Sequence, residues 1–155
     1  MMEQSANAAS KALEVMAFTV GSLEFCVEIV SVREIRGWTP ATPIPHAPTF
    51  IAGVINLRGV VLPIIDLAER LGLPKAVPTA RHVIIVTQVG TRMAGLLVDT
   101  VSDITSFDAE IIQSTPDVAS SVAKSFIRGV VALEGRMISI LTLDRVFLAS
   151  DKEAA

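Results

Sequence analysis

The chain has 155 residues, of which 51% are hydrophobic and 19% charged, and its formal net charge is −3. It is long enough for one domain or for two small barrels, and too apolar to be disordered except at its ends. The absence of a Lys/Arg run argues against nucleic acid and anionic membranes as partners. With no signal-peptide pattern, no uninterrupted membrane span and a single cysteine, Cys26, we expect a cytoplasmic protein.

In the first part of the chain, apolar alternation around glycine turns predicts β-hairpins. After a tail over residues 1–12, the first hairpin is predicted around Gly21-Ser22, and Glu28–Ile35 is predicted to be a short turn leading into a strand. A proline-rich connector follows. Its histidine, His46, has no second ligand at metal-binding spacing and is interpreted as a loop residue.

The segment Gly53–Leu67 predicts a second hairpin, whose two apolar strands flank a polar corner, Asn56-Leu57-Arg58-Gly59. Gly59 is the expected carrier of a positive φ in this turn. Asp66 stands directly before Leu67–Leu71, with Gly72 beyond, which predicts a short helix. Asp66 is therefore interpreted as a helix cap and not as a catalytic carboxylate.

The second half of the chain predicts a similar series of elements. They are a linker over Lys75–Arg81, a hairpin around Gly90-Thr91, a short helix over Ala109–Gln113 capped by Ser106 or Asp108, a loop or weak helix over Asp117–Ser125, a hairpin around Glu134-Gly135 and a terminal helix over Asp144–Leu148. Asp99 and Asp103 are interpreted as turn or solvated edge residues.

An internal repeat explains this similarity. Phe50–Gly59 and Phe126–Gly135 are identical at six of ten positions at a shift of 76, and upstream segments match at a shift of 69, which places a seven-residue insertion between Ile104 and Phe126. Short strands with glycine turns favour small closed barrels. We therefore predict two similar barrels with a groove between them, which is a usual place for a partner or ligand.

The repeat also separates shared residues from unshared ones. Arg58 is replaced by Glu134 in the second half, and Asp66 is replaced by Thr142. Arg58, together with Glu34, is therefore a candidate for a role special to the first half. The sequence shows no nucleophile–base set, phosphate-binding loop or metal-ligand spacing, which predicts a binding module without cofactor and not an enzyme.

The runs FIAGVINLRGVVLPIIDL, EIVSVREIRGW, GLLVDTVSDI and FIRGVVALEGRMISIL together resemble the CheW-like domain family over residues 14 to 148. The resemblance implies a mainly β fold of two five-stranded SH3-like β-barrels with short connecting and C-terminal helices. The expected division is one domain over 13–149, with the first barrel mainly 13–74, the second mainly 80–148, an exchange of terminal strands left open, and a tail over 150–155.

The resemblance also implies a function. Family members are adaptors that couple methyl-accepting chemotaxis receptors to the regulatory domain of the histidine kinase CheA, in membrane-associated ring arrays in which self-association is also expected. Two alternatives stay open: a CheW-like regulatory module of another chemosensory pathway, and a small-ligand-binding domain that uses the groove between the barrels.

The family's receptor-binding groove implies seven positions in this chain: Val32, Glu34, Ile35, Gly53, Arg58, Val83 and Ile84. Val32 and Ile35 are expected to receive apolar side chains of a receptor helix, although a plain core role is an equal alternative. Gly53 would allow close approach of a partner backbone, or serve only its own conformation. Glu34 and Arg58 are expected to form an ion pair that gives specificity more than affinity.

Overall fold

The structure is a computed structural model that describes residues 12–115 and 121–147. The strands are β1 Ala12–Val20, β2 Leu23–Glu28, β3 Val32–Gly37, β4 Ile51–Leu57, β5 Val60–Asp66, β6 Val83–Val89, β7 Arg92–Val98, β8 Thr100–Asp108, β9 Ile127–Leu133 and β10 Arg136–Leu141. The helices are α1 Leu67–Arg70, α2 Ser121–Phe126 and α3 over residues 143–147, and single 3₁₀ turns lie at Ile29–Ser31 and Ala109–Ile111.

The ten strands form two five-stranded sheets of identical design. One, here called the middle barrel, has the strand order β3-β6-β7-β5-β4, and the other, the terminal barrel, has the order β8-β1-β2-β10-β9. Replacing each strand by its repeat equivalent converts one order into the other. In both, a parallel pair, β5 with β7 or β10 with β2, joins two antiparallel hairpins. The predicted fold class and internal repeat are thus confirmed.

The division of the chain between the barrels differs from the expected 13–74 and 80–148. The middle barrel is built from β3 to β7, residues 32–98, whereas the N-terminal hairpin β1–β2 pairs with β8 and β10 from the second half. In each half of the chain, the first hairpin thus belongs to one barrel and the remaining three strands belong to the second barrel. Sequence patterns specify local hairpins but not which hairpins share a sheet, because that pairing is long-range. The expected tails over 1–12 and 150–155 lie almost wholly outside the described residues.

Three apolar cores stabilise the molecule. The middle barrel encloses residues such as Leu62, Ile84 and Leu97, and the terminal barrel encloses a smaller core that contains Cys26 and Ile138. The largest core lies between the two sheets. It combines the outward faces of both with the helices α1 and α3; its fully buried members include Phe18, Leu67, Ile85, Leu96 and Val146. This core therefore occupies space in which a groove between the barrels was expected, and cavities among the described residues lie at its rims.

Local chemistry explains the short elements. The Asp66 Oδ1 atom accepts a hydrogen bond from the Glu69 backbone N–H at 3.3 Å, and its Oδ2 atom accepts one from Ala76 at 3.1 Å. Asp66 is only 2% exposed, so it acts as the predicted cap and also holds the following linker against the barrel. Asp108 is likewise the predicted cap of its 3₁₀ turn, through the N–H of Glu110.

Candidate functional site

The polar corner of the middle barrel is a three-residue ion cluster. The Arg58 Nη2 atom donates to Glu34 Oε1 at 2.6 Å, and the Arg36 Nη1 atom donates to Glu34 Oε2 at 3.2 Å. Glu34 and Arg36 lie on β3, and Arg58 lies in the β4–β5 turn, so the cluster joins the two edges of one sheet. The predicted contact between Glu34 and Arg58 is present, and the second arginine extends it.

Backbone geometry aims Arg58 outward. Arg58 has a φ of 52° and Gly59 a φ of 89°, which are the two positive values of a type I′ turn. The Asn56 Oδ1 atom accepts a hydrogen bond from the Gly59 N–H at 2.8 Å and stabilises that turn. Asn56 is therefore explained by the hairpin itself, whereas the Arg58 side chain remains 69% exposed and available to a partner.

The cluster sets the protonation of its members. Hydrogen bonds from Arg58 and then from Arg36 hold the pKa of Glu34 below its ordinary value, and Glu34 raises the pKa of Arg58. Glu34 is thus a carboxylate at neutral pH. With two arginines against one glutamate, the corner carries a net charge of +1.

An equivalent cluster closes the terminal barrel, which the sequence comparison missed. Arg136 donates to both carboxylate oxygens of Glu24, at 2.9 to 3.2 Å, and its Nη2 atom lies 3.8 Å from Asp103 on the opposite sheet edge. Asp103 is the repeat equivalent of Glu34. The cation, however, lies two residues beyond the equivalent of Arg58, and for that reason a position-by-position comparison finds no recurrence. With Glu134 also near Arg136, one arginine faces three carboxylates, a net charge of −2.

The four apolar residues implied for the groove fall into different environments. Ile35 on β3 is 47% exposed, while its cross-strand neighbour Ile85 is fully buried. Val32 and Val83 are partly buried against the core between the sheets. Ile84 is 0% exposed inside the middle barrel and is a core residue in this structure. Of the four, Ile35 is therefore the most accessible to a partner.

Gly53 is approached by the chain itself. It has a φ of 151°, and a Cβ atom there would lie 2.5 Å from the Thr42 carbonyl oxygen. Thr42 and Val54 exchange two backbone hydrogen bonds of 2.9 Å, which fasten the proline-rich connector to β4. Gly129, the repeat equivalent, is crossed in the same way by Gln113. A backbone segment thus occupies the space that a side chain would need at Gly53 and at Gly129, which explains why both repeats have glycine there.

A buried cation at the junction of the two halves was not predicted. The guanidinium of Arg70 lies between the rings of Phe50 and Phe126, 4.0 and 4.5 Å from their centroids, and its Nε atom donates to the carbonyl of Val146 at 3.2 Å. Phe50 and Phe126 are repeat equivalents, and Val146 is the equivalent of Arg70 itself. The sequence signal was the replacement of Arg70 by Val146 in the matched helix, which is one of four differences over these five positions.

Chemical reactivity is low in the described part of the chain. No group of three or more His, Cys, Asp or Glu residues that could hold a metal is found within residues 12–115 and 121–147. Burial, and to a smaller extent the charge of Glu28, raises the pKa of the Cys26 thiol to about 12. None of the helices in the same ranges is long and apolar enough to cross a membrane. The described residues thus form a double β-barrel with one charged corner on each barrel.

Comparison with known proteins assigns the double barrel. The CheW-like domain family matches residues 14–150, so this chain belongs to that family. It is 61% identical over 142 residues, 92% of each chain, to "Chemotaxis protein CheW" of Rhizobium meliloti, and 39% identical to the protein of that name from Klebsiella aerogenes, over 92% of this chain and 84% of the relative. The crystal structure of the scaffolding protein TtCheW from Thermoanaerobacter tengcongensis superimposes with a TM-score of 0.79 at 31% identity, covering 87% of this chain and 92% of that one.

Proposed function

We propose that this protein is a non-catalytic cytoplasmic adaptor that couples methyl-accepting chemotaxis receptors to the histidine kinase CheA in membrane-associated arrays. The observation that carries the proposal is the presence of two equivalent but unlike surfaces, one on each barrel. An adaptor needs two separate contact surfaces, whereas an enzyme needs one convergent site. Named scaffolding and chemotaxis relatives over nearly the full chain support the same role.

Exposed apolar residues recur at equivalent positions of the two surfaces. Ile35 and Ile104 follow the corner carboxylates on β3 and β8 and are 47% and 58% exposed. Val61 and Met137 follow the hairpin turns and are 66% and 61% exposed. Single exposed apolar residues scattered over a surface are common, whereas exposed apolar residues grouped at one place are typical of protein contacts. These residues would supply affinity for partner domains.

Charge distinguishes the two surfaces. The middle-barrel corner carries +1, and the terminal-barrel corner, with Arg136 against Glu24, Asp103 and Glu134, carries −2. Opposite charges on equivalent corners fit heterologous, head-to-tail contacts between CheW-like domains, which close into rings when the rotation allows it. This supports alternation with the CheW-like regulatory domain of CheA, and self-association in rings.

The Arg58→Ala variant tests the proposal. Since Arg58 is largely exposed, we expect the melting temperature to change by no more than about 2 °C, while binding to receptor or kinase weakens roughly tenfold. Arg128→Ala is the matched control, because Arg128 forms a surface pair with Glu28 at 3.2 Å on the other barrel. Wild-type capture of both partners by Arg58→Ala would remove Arg58 from the contact.

A charge exchange separates recognition from barrel closure. In the double variant Glu34→Arg with Arg58→Glu, the two side chains can still pair across the sheet edges. If a partner contacts Arg58 directly, we expect binding by the double variant to stay weak. Recovery of binding to the wild-type level would instead show that the pair acts only within the barrel.

A further inference from the structure

A cavity of about 340 Å³ lies at one open rim between the barrels. It is bounded by the β1–β2 turn of the terminal barrel, by α1, and by the linker that follows α1 in the middle barrel. The volume falls in the range of small-molecule sites in proteins. We call it the rim cavity.

Most of its wall is apolar. Val20 and Ala68 are its buried lining residues, and two exposed hydrophobic residues, Leu23 at 49% and Val77 at 81%, mark its mouth. An occupant would therefore bury apolar surface that is now in contact with water, which favours binding.

One end of the rim cavity is acidic. The Asp99 carboxylate, whose side chain is 35% exposed, accepts from the Gly21 backbone N–H at 2.8 Å and faces His82 Nε2 at 3.3 Å. The His82 Nδ1 atom accepts from the Thr79 N–H at 3.0 Å, so the ring hydrogen lies on Nε2 and points to Asp99. A carboxylate has about four acceptor positions, and two remain open. No lysine or arginine is among the described residues that line the cavity.

The opposite rim provides an internal comparison. The repeat equivalents Val89 and Asp144 help to line a smaller cavity of about 220 Å³ there. In that cavity the carboxylate of Glu28 lies 3.2 Å from Arg128, which neutralises it. The opposite cavity thus has an arginine in its lining, whereas the described lining of the rim cavity contains a carboxylate and no arginine or lysine.

We propose that the rim cavity binds a small amphipathic amine, with the ammonium group at Asp99 and the hydrocarbon part against the apolar wall. Charge complementarity selects an amine over an acid, because the lining offers a carboxylate and no cationic side chain. The apolar side chains that line the rest of the cavity select an amine with an alkyl or aryl body rather than ammonium itself. This inference does not depend on the proposed adaptor function.

Titrations of the full chain with n-hexylamine, 1-hexanol and hexanoate at pH 7.5 test this inference, followed through the methyl NMR signals of Leu23 and Val77. We expect saturable shifts with hexylamine, about tenfold weaker binding of hexanol, and none of hexanoate. Equal binding of hexylamine and hexanol would overturn the role of Asp99. No saturable shift with either would overturn the site.

Two variants sharpen the test. Asp99→Asn keeps an oxygen for the Gly21 N–H, and we expect it to weaken hexylamine binding about tenfold without changing hexanol binding. Glu14→Gln, at an exposed position of the terminal barrel outside the cavity, is the control and should bind hexylamine normally. Ser22→Trp places a bulky group at the mouth from an exposed turn, so it tests the site even if Asp99→Asn is unstable; undiminished hexylamine binding by Ser22→Trp would overturn the location.

Discussion

Gly53→Ala decides between the two roles considered for Gly53. A methyl group at this position would lie 2.5 Å from the Thr42 carbonyl oxygen, 2.8 Å from its carbonyl carbon and 2.9 Å from the Ala41 Cβ atom. Two of these three are backbone atoms of a connector that hydrogen bonds hold on both sides of the contact, so they cannot move aside cheaply. The φ of 151° adds strain for any residue with a side chain.

The expected loss can be worked out from these contacts. Overpacking of this kind costs about 1–3 kcal/mol and a strained backbone about 1–3 kcal/mol, so Gly53→Ala should lose roughly 3 kcal/mol of stability. For a chain of this size that corresponds to a fall in melting temperature of about 6–12 °C. Thermal and urea unfolding measure it directly.

Gly37→Ala is the matched control, because Gly37 also lies in a strand of the middle barrel but has nothing within 4 Å of its Cβ position. We expect its melting temperature to stay within about 2 °C of the wild type. If Gly53→Ala unfolds like Gly37→Ala but loses partner binding, the steric reasoning is refuted and Gly53 contacts a partner instead.

Three further predictions follow from buried and charged groups. Arg70→Ala should lower the free energy of unfolding by about 3 kcal/mol through loss of two ring contacts and a buried hydrogen bond, with Arg70→Lys intermediate; a change below about 1 kcal/mol in urea unfolding would contradict this. Cys26 should resist thiol reagents at pH 8 until the chain unfolds, since its pKa is raised to about 12; rapid native-state labelling would show otherwise. The pKa of Glu34 is lowered in the folded state, so its ion pair stabilises the fold fully at pH values above the unfolded-state pKa of Glu34. This stabilisation is lost as the pH falls through the folded-state pKa. In Arg58→Ala, NMR titration should give a Glu34 pKa closer to the ordinary value of a glutamate.

The elements predicted from the sequence were those with local causes. The hairpin turns at Gly21, Arg58-Gly59, Gly90 and Glu134-Gly135 were all placed correctly, because each combines a glycine with flanking apolar strands. The caps at Asp66 and Asp108 were also found, since the cap and its helix are adjacent in the chain. The predicted loop or weak helix over Asp117–Ser125 falls partly outside the described residues, and its described part belongs to α2.

Features that depend on long-range pairing could not be predicted in the same way. Nothing in the hairpin patterns reveals that β1–β2 belongs to the terminal barrel, or that Arg70 reaches two phenylalanines 20 and 56 residues away. Ile84 was assigned to the groove by resemblance, yet side-chain direction on β6 buries it. Glu34 and Arg58, in contrast, were selected from the repeat and from the family resemblance, and the structure places them in contact.

The recurrence of a closing ion cluster changes the meaning of Arg58. If only the middle barrel had such a cluster, its presence alone would indicate function. Both barrels have one, and each links an edge strand, β3 or β8, to the hairpin on the other side of the sheet, which is reason enough for a cluster to exist. The position of the arginine differs between the barrels, and the repeat does not explain this difference. In the middle barrel Arg58 lies in the hairpin turn, whereas in the terminal barrel Arg136 lies at the start of β10. This displacement leaves one corner cationic and the other anionic over otherwise equivalent apolar residues. Two identical surfaces would bind one partner twice, whereas opposite charge allows each to reject the other's partner, which is the specificity that a two-sided adaptor requires.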